Sequence, residues 1–137
     1  MPYWVIKGQL AVASRPGYQP GTETLVPRHA VESWADEARA SGIVSIICLL
    51  AGDQLPLYDH ALEGGLLGFY RDAGFHVAHV PTPDGLARPY TEEQLEDIWN
   101  AFTALPKPVL VHCSAGMDRT GHAVRHILHR LASNGSL

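Results

Sequence analysis

Ile43 to Leu50 reads IVSIICLL, a run of apolar side chains broken only by Ser45. A strand of this kind offers neither face to water. It must lie inside a sheet covered on both sides, the usual setting of parallel strands flanked by helices. The run is far too short to span a membrane. Its neighbours agree with this reading. Phe75 to Val80 and Pro108 to His112 form two further apolar strands, and Trp4 to Ala13 reads as a hairpin or two short strands turning near Lys7-Gly8. Helical patterns lie between them. Pro27 to Ala40 repeats Val31, Trp34, Ala35 and Ala38 at helical spacing, with Pro27 suited to a first turn and Gly42 to a cap. Asp59 to Ala73 carries Leu62, Leu66, Phe69, Tyr70 and Ala73 as a stripe, is weakened by Gly64-Gly65 and is stopped by Gly74. Thr91 and Gln94 form a capping-box pair ahead of Leu95, Ile98, Trp99 and Phe102. Thr120 to Ala132 is the last helix. Strands alternating with helices predict an α/β fold, a central and mostly parallel sheet flanked by helices. At 137 residues, a single domain over 1–137 is expected.

Charge and cysteine usage narrow the function. Ten Lys and Arg against fourteen Asp and Glu give a net charge of -4. A chain that lives on nucleic acid or on an anionic membrane needs a basic surplus, so neither partner is expected. No basic stretch leads into an apolar targeting segment at the start. Two cysteines, Cys48 and Cys113, are too few for a disulfide scaffold and lack the spacing of a zinc site. A reducing compartment follows, most simply the cytoplasm.

The chemistry concentrates in Val109 to Gly121, VLVHCSAGMDRTG. An apolar strand runs into Cys113, and Arg119, Thr120 and a helix follow. Ligands of open α/β sheets sit at the carboxyl ends of strands. A loop wrapped there points successive backbone N–H groups inward, and with the helix N-terminus it binds a tetrahedral oxyanion. Arg119 can grip two oxygens through parallel N–H bonds. The same positive field favours the thiolate, the nucleophilic form of Cys113. Ala115 and Gly116 keep the loop interior small, with Ser114, Met117 and Asp118 completing it. His112 is expected to order the loop, and Thr120 to donate a hydrogen bond to the departing sulfur.

The segment HCSAGMDRTG closely resembles the His-Cys-x5-Arg-Thr signature of the cysteine-dependent protein tyrosine phosphatase superfamily. The resemblance covers nearly the whole chain. It is nearest to the compact dual-specificity type, in the kinase-associated and Cdc14-like branch. It implies a phosphatase fold with a shortened C-terminal helical region, and a mechanism without cofactor or metal. It also implies a general acid upstream of the loop. His79 to Pro89, HVPTPDGLARP, looks like that segment and nominates Asp84. The alternative for Asp84 is an ordinary Asp-Gly turn. Asp118 departs from most tyrosine phosphatases, which carry a small or apolar residue there. It resembles the myotubularin-like lipid phosphatases, so Asp118 is the rival acid. Otherwise it orients Arg119 or accepts loop N–H bonds. Arg88 and Asp53 are placed at the mouth by position alone.

The catalytic set is therefore Cys113, Arg119 and Asp84, with His112, Ser114, Ala115, Gly116, Met117, Asp118 and Thr120 around the substrate. The expected activity is phosphomonoester hydrolysis through a phosphocysteine, as a protein tyrosine or dual-specificity phosphatase. Its substrate is a phosphorylated protein or a small phosphate ester. The alternatives are a phosphatase of a small-molecule, lipid or nucleotide phosphate, and a non-catalytic phosphate-binding module. Loop lysines of the kind found in polyphosphate lipid phosphatases are absent, which lowers the inositol-polyphosphate reading. Oligomeric state is left open. His122, His126 and His129 recur on one face of the last helix, either as a solvated face or, less simply, as metal ligands. Cys48 is either a small buried hydrophobe or, as the resemblance allows, a disulfide partner that protects Cys113.

Overall fold

A computed structural model describes residues 1–83 and 90–136. Five strands form one sheet: β1 (Tyr3–Ile6), β2 (Leu10–Ala13), β3 (Ser45–Cys48), β4 (His76–His79) and β5 (Val109–His112). Their order is β1-β2-β5-β3-β4, with only β1 antiparallel to its neighbour. The helices are α1 (Arg28–Ala40), α2 (Gly65–Asp72), α3 (Glu92–Ala104) and α4 (Asp118–Ser133). No helix among the described residues is long and apolar enough to cross a membrane.

Side chains along β2, β3 and β5 alternate between two cores. Ala11, Ile46, Cys48 and Leu110 meet Val31, Trp34, Ala35 and Ala38 of α1 and Leu66 and Tyr70 of α2. Leu10, Ile47, Leu49, Val109, Val111 and Cys113 meet Ile98, Trp99 and Phe102 of α3 and Ala123, Val124 and Ile127 of α4. Ile46 and Ile47, opposite in direction, are both completely buried. This is what the apolar run required. Each such side chain contributes about 1.5–3 kcal/mol on leaving water.

Two expectations are corrected. The helix expected over Asp59 to Ala73 is only half formed. A single 3₁₀ turn covers Leu55–Tyr58, and α2 starts at Gly65. Gly65 has φ +71, a left-handed conformation through which a right-handed helix cannot run. The last helix starts two residues before Thr120, at Asp118, which brings Arg119 into its first turn. The Thr91–Gln94 capping box forms as expected at the start of α3.

Candidate active site

β5 is the middle strand, and the chain leaves its carboxyl end at Cys113. Residues 114–117 bend back to the N-terminus of α4. The N–H groups of Ser114, Ala115, Gly116 and Met117 donate to no acceptor among the described residues, although the loop is half-buried as far as Gly116. Unpaired loop N–H groups beside a helix N-terminus make a concave donor surface for an anion. A cavity of about 470 Å³ opens over it, lined by Cys113, Ser114, Ala115, Asp118 and Arg119 of the loop and by Tyr18, Gly21, Thr22 and Glu23 from the segment after β2. Cys113 is 2% exposed. Met117 is exposed at the loop's outer edge and does not line the cavity.

Three neighbouring strand ends hold the loop. Gly116 has φ +77 and lies so close to β2 that a Cβ there would sit 2.6 Å from the Ala13 carbonyl oxygen. The Arg15 N–H donates to Ser114 O at 2.9 Å, and Arg15 Nε donates to Ser114 Oγ at 3.1 Å. Arg119 Nη1 donates to Gln54 Oε1 at 2.9 Å, to Thr82 O at 2.9 Å and to Leu49 O at 3.4 Å. The segments after β3 and β4 thereby aim the guanidinium. Tyr90 OH donates to Arg119 O at 2.6 Å.

His112 is fully buried on the other face of β5, against the edges of Trp34 and Tyr70. Its Nδ1 lies 3.0 Å from Cys113 O and its Nε2 lies 2.9 Å from Tyr70 OH. A carbonyl can only accept, so Nδ1 carries the proton and Nε2 accepts from the tyrosine. Burial holds Tyr70 well above its ordinary range, so its hydroxyl keeps that proton. Burial also pushes His112 down to about 4, aided by the charges of Arg119 and Arg15 and opposed by the bond to Cys113 O. The unfolded chain binds a proton at His112 below its ordinary value of 6.5, whereas the folded one resists until about 4. This contribution to stability is therefore intact above 6.5 and is lost as pH falls from 6.5 to 4, by about 3 kcal/mol in all. We expect the urea midpoint to drop across that window, and the drop to be smaller in His112→Gln.

The other expected residues fall as follows. Asp84 and Arg88 lie outside the described residues. Asp118 is exposed on the cavity wall in the first turn of α4, where the helix dipole favours a carboxylate. Thr120 Oγ1 is buried and makes no hydrogen bond among the described residues, so the expected bond to sulfur is not formed here. Asp53 faces a neighbouring depression with Thr82, Pro83 and Gln94 instead of the Cys113 cavity. Cys48 and Cys113 are free thiols packed in different cores. Burial pushes the Cys48 thiol up to about 12, so it behaves as a small neutral hydrophobe. His122 and His129 are exposed and His126 is half-buried. Among the described residues no group of side chains could hold a metal ion.

Arg15, Gln54, Tyr58 and Thr82 were not anticipated. Arg15 stands just past the apolar Leu10–Ala13 strand, and the rule that places ligands at strand ends points to it. Gln54 and Thr82 are polar residues in loops, with no pattern of their own in the sequence.

Among solved structures, the fold is shared with kinase-associated phosphatase carrying serine in place of its catalytic-site cysteine (TM-score 0.69, 23% identity, 89% of this chain and 65% of that one). The chain thus spans a little under two thirds of that phosphatase's length. It is also shared with Tk-PTP in the active form (TM-score 0.62, 22% identity, 98% and 74% of the two chains). A third similar structure is the core catalytic domain of the PP-IP phosphatase SIW14 from S. cerevisiae (TM-score 0.53, 17% identity, 89% and 61%). No curated protein matches the sequence. Residues 25–132, from just before α1 almost to the end of α4, match the family described as Tc-R-P, polymorphic toxin system, DSP-PTPase phosphatase. A cysteine–arginine loop on this sheet and a match of that extent lead to one conclusion: the chain belongs to the Tc-R-P family of DSP-PTPase phosphatases, within the cysteine-dependent protein tyrosine phosphatase superfamily.

Proposed function

We propose that the chain hydrolyses phosphate monoesters through a phosphocysteine. One observation carries the reading: loop N–H groups without acceptors, between Cys113 and Arg119 on one cavity wall. The Cys113 thiolate attacks phosphorus in line with the ester bond. The S–P bond forms as the P–O bond breaks, and Asp84 gives its proton to the leaving oxygen. Water, deprotonated by the same Asp84, then attacks phosphorus. The S–P bond breaks, inorganic phosphate leaves and the thiolate returns. Arg119 and the N–H groups of residues 114–119 hold the equatorial oxygens, whose charge is greatest in the transition states. His112 holds the Cys113 carbonyl, and the buried Thr120 hydroxyl, which has no partner among the described residues, is available to donate to the sulfur as it departs.

The substrate we favour is a phosphorylated protein, on tyrosine with serine or threonine as well, in keeping with the dual-specificity phosphatase named in the family description. That description ties the family to polymorphic toxin systems, and we read this chain as the phosphatase of such a system. A thiol nucleophile works only while reduced, which supports a reducing compartment such as the cytoplasm. Asp118 on the cavity wall favours a second reading, a small phosphate ester as substrate. A panel of phosphopeptides, sugar phosphates, nucleotides and inositol phosphates separates the two. A fast rate on one metabolite with uniformly poor peptide rates replaces the protein reading.

The acid is assigned by leaving group. Asp84→Asn is expected to slow a phosphotyrosine peptide by about 100-fold and p-nitrophenyl phosphate far less, since nitrophenolate departs without a proton. Asp118→Asn is expected to slow neither selectively. The reverse pattern makes Asp118 the acid.

A further inference from the structure

Arg15 is 2% exposed. Its polar contacts are all with neutral groups. Its N–H and Nε reach Ser114, as described above, and Nη1 donates to Tyr58 OH at 3.1 Å. Tyr58 OH in turn donates to Pro16 O at 2.6 Å, and burial pushes that phenol up to about 12, so it is uncharged. No carboxylate lies within ion-pairing distance of Arg15 among the described residues. Its guanidinium carbon lies 5.8 Å from the centre of the Tyr18 ring, which lines the Cys113 cavity.

A buried guanidinium without a counter-charge costs several kcal/mol, and native proteins retain few of them. The burial is explained if the missing anion belongs to the site. Ser114, which Arg15 clasps by backbone and side chain, directly follows Cys113. The thiolate, and later the phosphate, would bring a negative charge to the loop that Arg15 clasps.

We infer that Arg15 is a positioning residue and the second buried cation of the site: it fixes the loop through Ser114, and its charge stabilises the thiolate and the bound phosphate without touching either. The inference rests on the phosphatase reading above. Arg119 supplies the charge in contact, and Arg15 supplies charge from behind the loop, where substrate cannot displace it.

The test is alkylation of Cys113 by iodoacetamide across pH, followed by mass spectrometry. Among the described residues, the other charged or titratable groups near the thiol are Arg119 and Asp118 from α4, Tyr18 and Glu23 from the cavity wall, Tyr90 ahead of α3, His112 from β5 and Cys48 from β3. All of them are common to wild type and variants, so a difference reports Arg15. Arg15→Met, close in length and uncharged, is expected to move the alkylation midpoint upward by about one to two pH units. Arg15→Lys, which keeps the charge, is expected to restore most of that shift. Tyr58→Phe, which removes a hydrogen bond and no charge, is expected to lower stability and leave the midpoint in place. An unmoved midpoint in folded Arg15→Met overturns the inference. If Arg15→Met does not fold, a midpoint in Arg15→Lys far above wild type overturns it instead. Alkylation needs no turnover, so a protein that hydrolyses no phosphate ester yet shows the Arg15 shift loses the proposed function and keeps this inference.

Discussion

Cys113→Ser is expected to lower hydrolysis of p-nitrophenyl phosphate by about ten-thousand-fold or more, equivalent to about 5–6 kcal/mol of barrier. A serine hydroxyl stays protonated at neutral pH and is a far poorer nucleophile than a thiolate. The oxygen is close to sulfur in shape, so the 2%-exposed site keeps its packing at a cost of about 1–2 kcal/mol. The variant should therefore remain folded and still bind inorganic phosphate or vanadate. Cys48→Ser, in the opposite core, is the control and should keep its activity. Substantial turnover by Cys113→Ser would rule out the phosphocysteine.

Gly116→Ala should also be damaging, less for turnover and more for stability, by a different route. The added Cβ would meet Ala13 O at 2.6 Å, Ala13 C at 2.7 Å and Ser14 N at 2.8 Å. These are backbone atoms at the end of a paired strand, so they cannot turn aside as a side chain would. The residue must also keep φ +77, which costs an L-residue about 1–2 kcal/mol. The loop must move away from β2, taking its N–H groups off the oxyanion position. We expect a loss of about 2–4 kcal/mol in urea unfolding and of about 100-fold in kcat/KM. Gly52→Ala is the matched control. A Cβ there meets nothing within 4 Å, and both measurements should stay near wild type. An active, stable Gly116→Ala would mean that the loop does not depend on contact with β2.

What could be read from the sequence follows from how locally each feature is encoded. The buried strands were legible because Ile46 and Ile47 have to be apolar on both faces. The start of α3 was legible because Thr91 and Gln94 carry the whole capping box within four residues. The Cys113–Arg119 loop was legible because its nucleophile, its small residues and its guanidinium are consecutive. The second helix failed at Gly65, since a helical stripe does not reveal the sign of one φ angle. Arg15, Gln54 and Thr82 failed for a different reason. Each acts on a loop 37 to 99 residues away, and single polar residues at that range leave no spacing to recognise.

The central place of β5 has a kinetic consequence. Chain folding cannot assemble the anion loop early, because its grips come from the ends of β2, β3 and β4, and every one closes a long stretch of backbone. No local fragment of the chain contains a working site, and no partly docked sheet does either. Gain of catalytic competence during refolding should coincide with the last long-range pairing of strands. An activity assay on this protein therefore doubles as a probe of its cooperative folding transition.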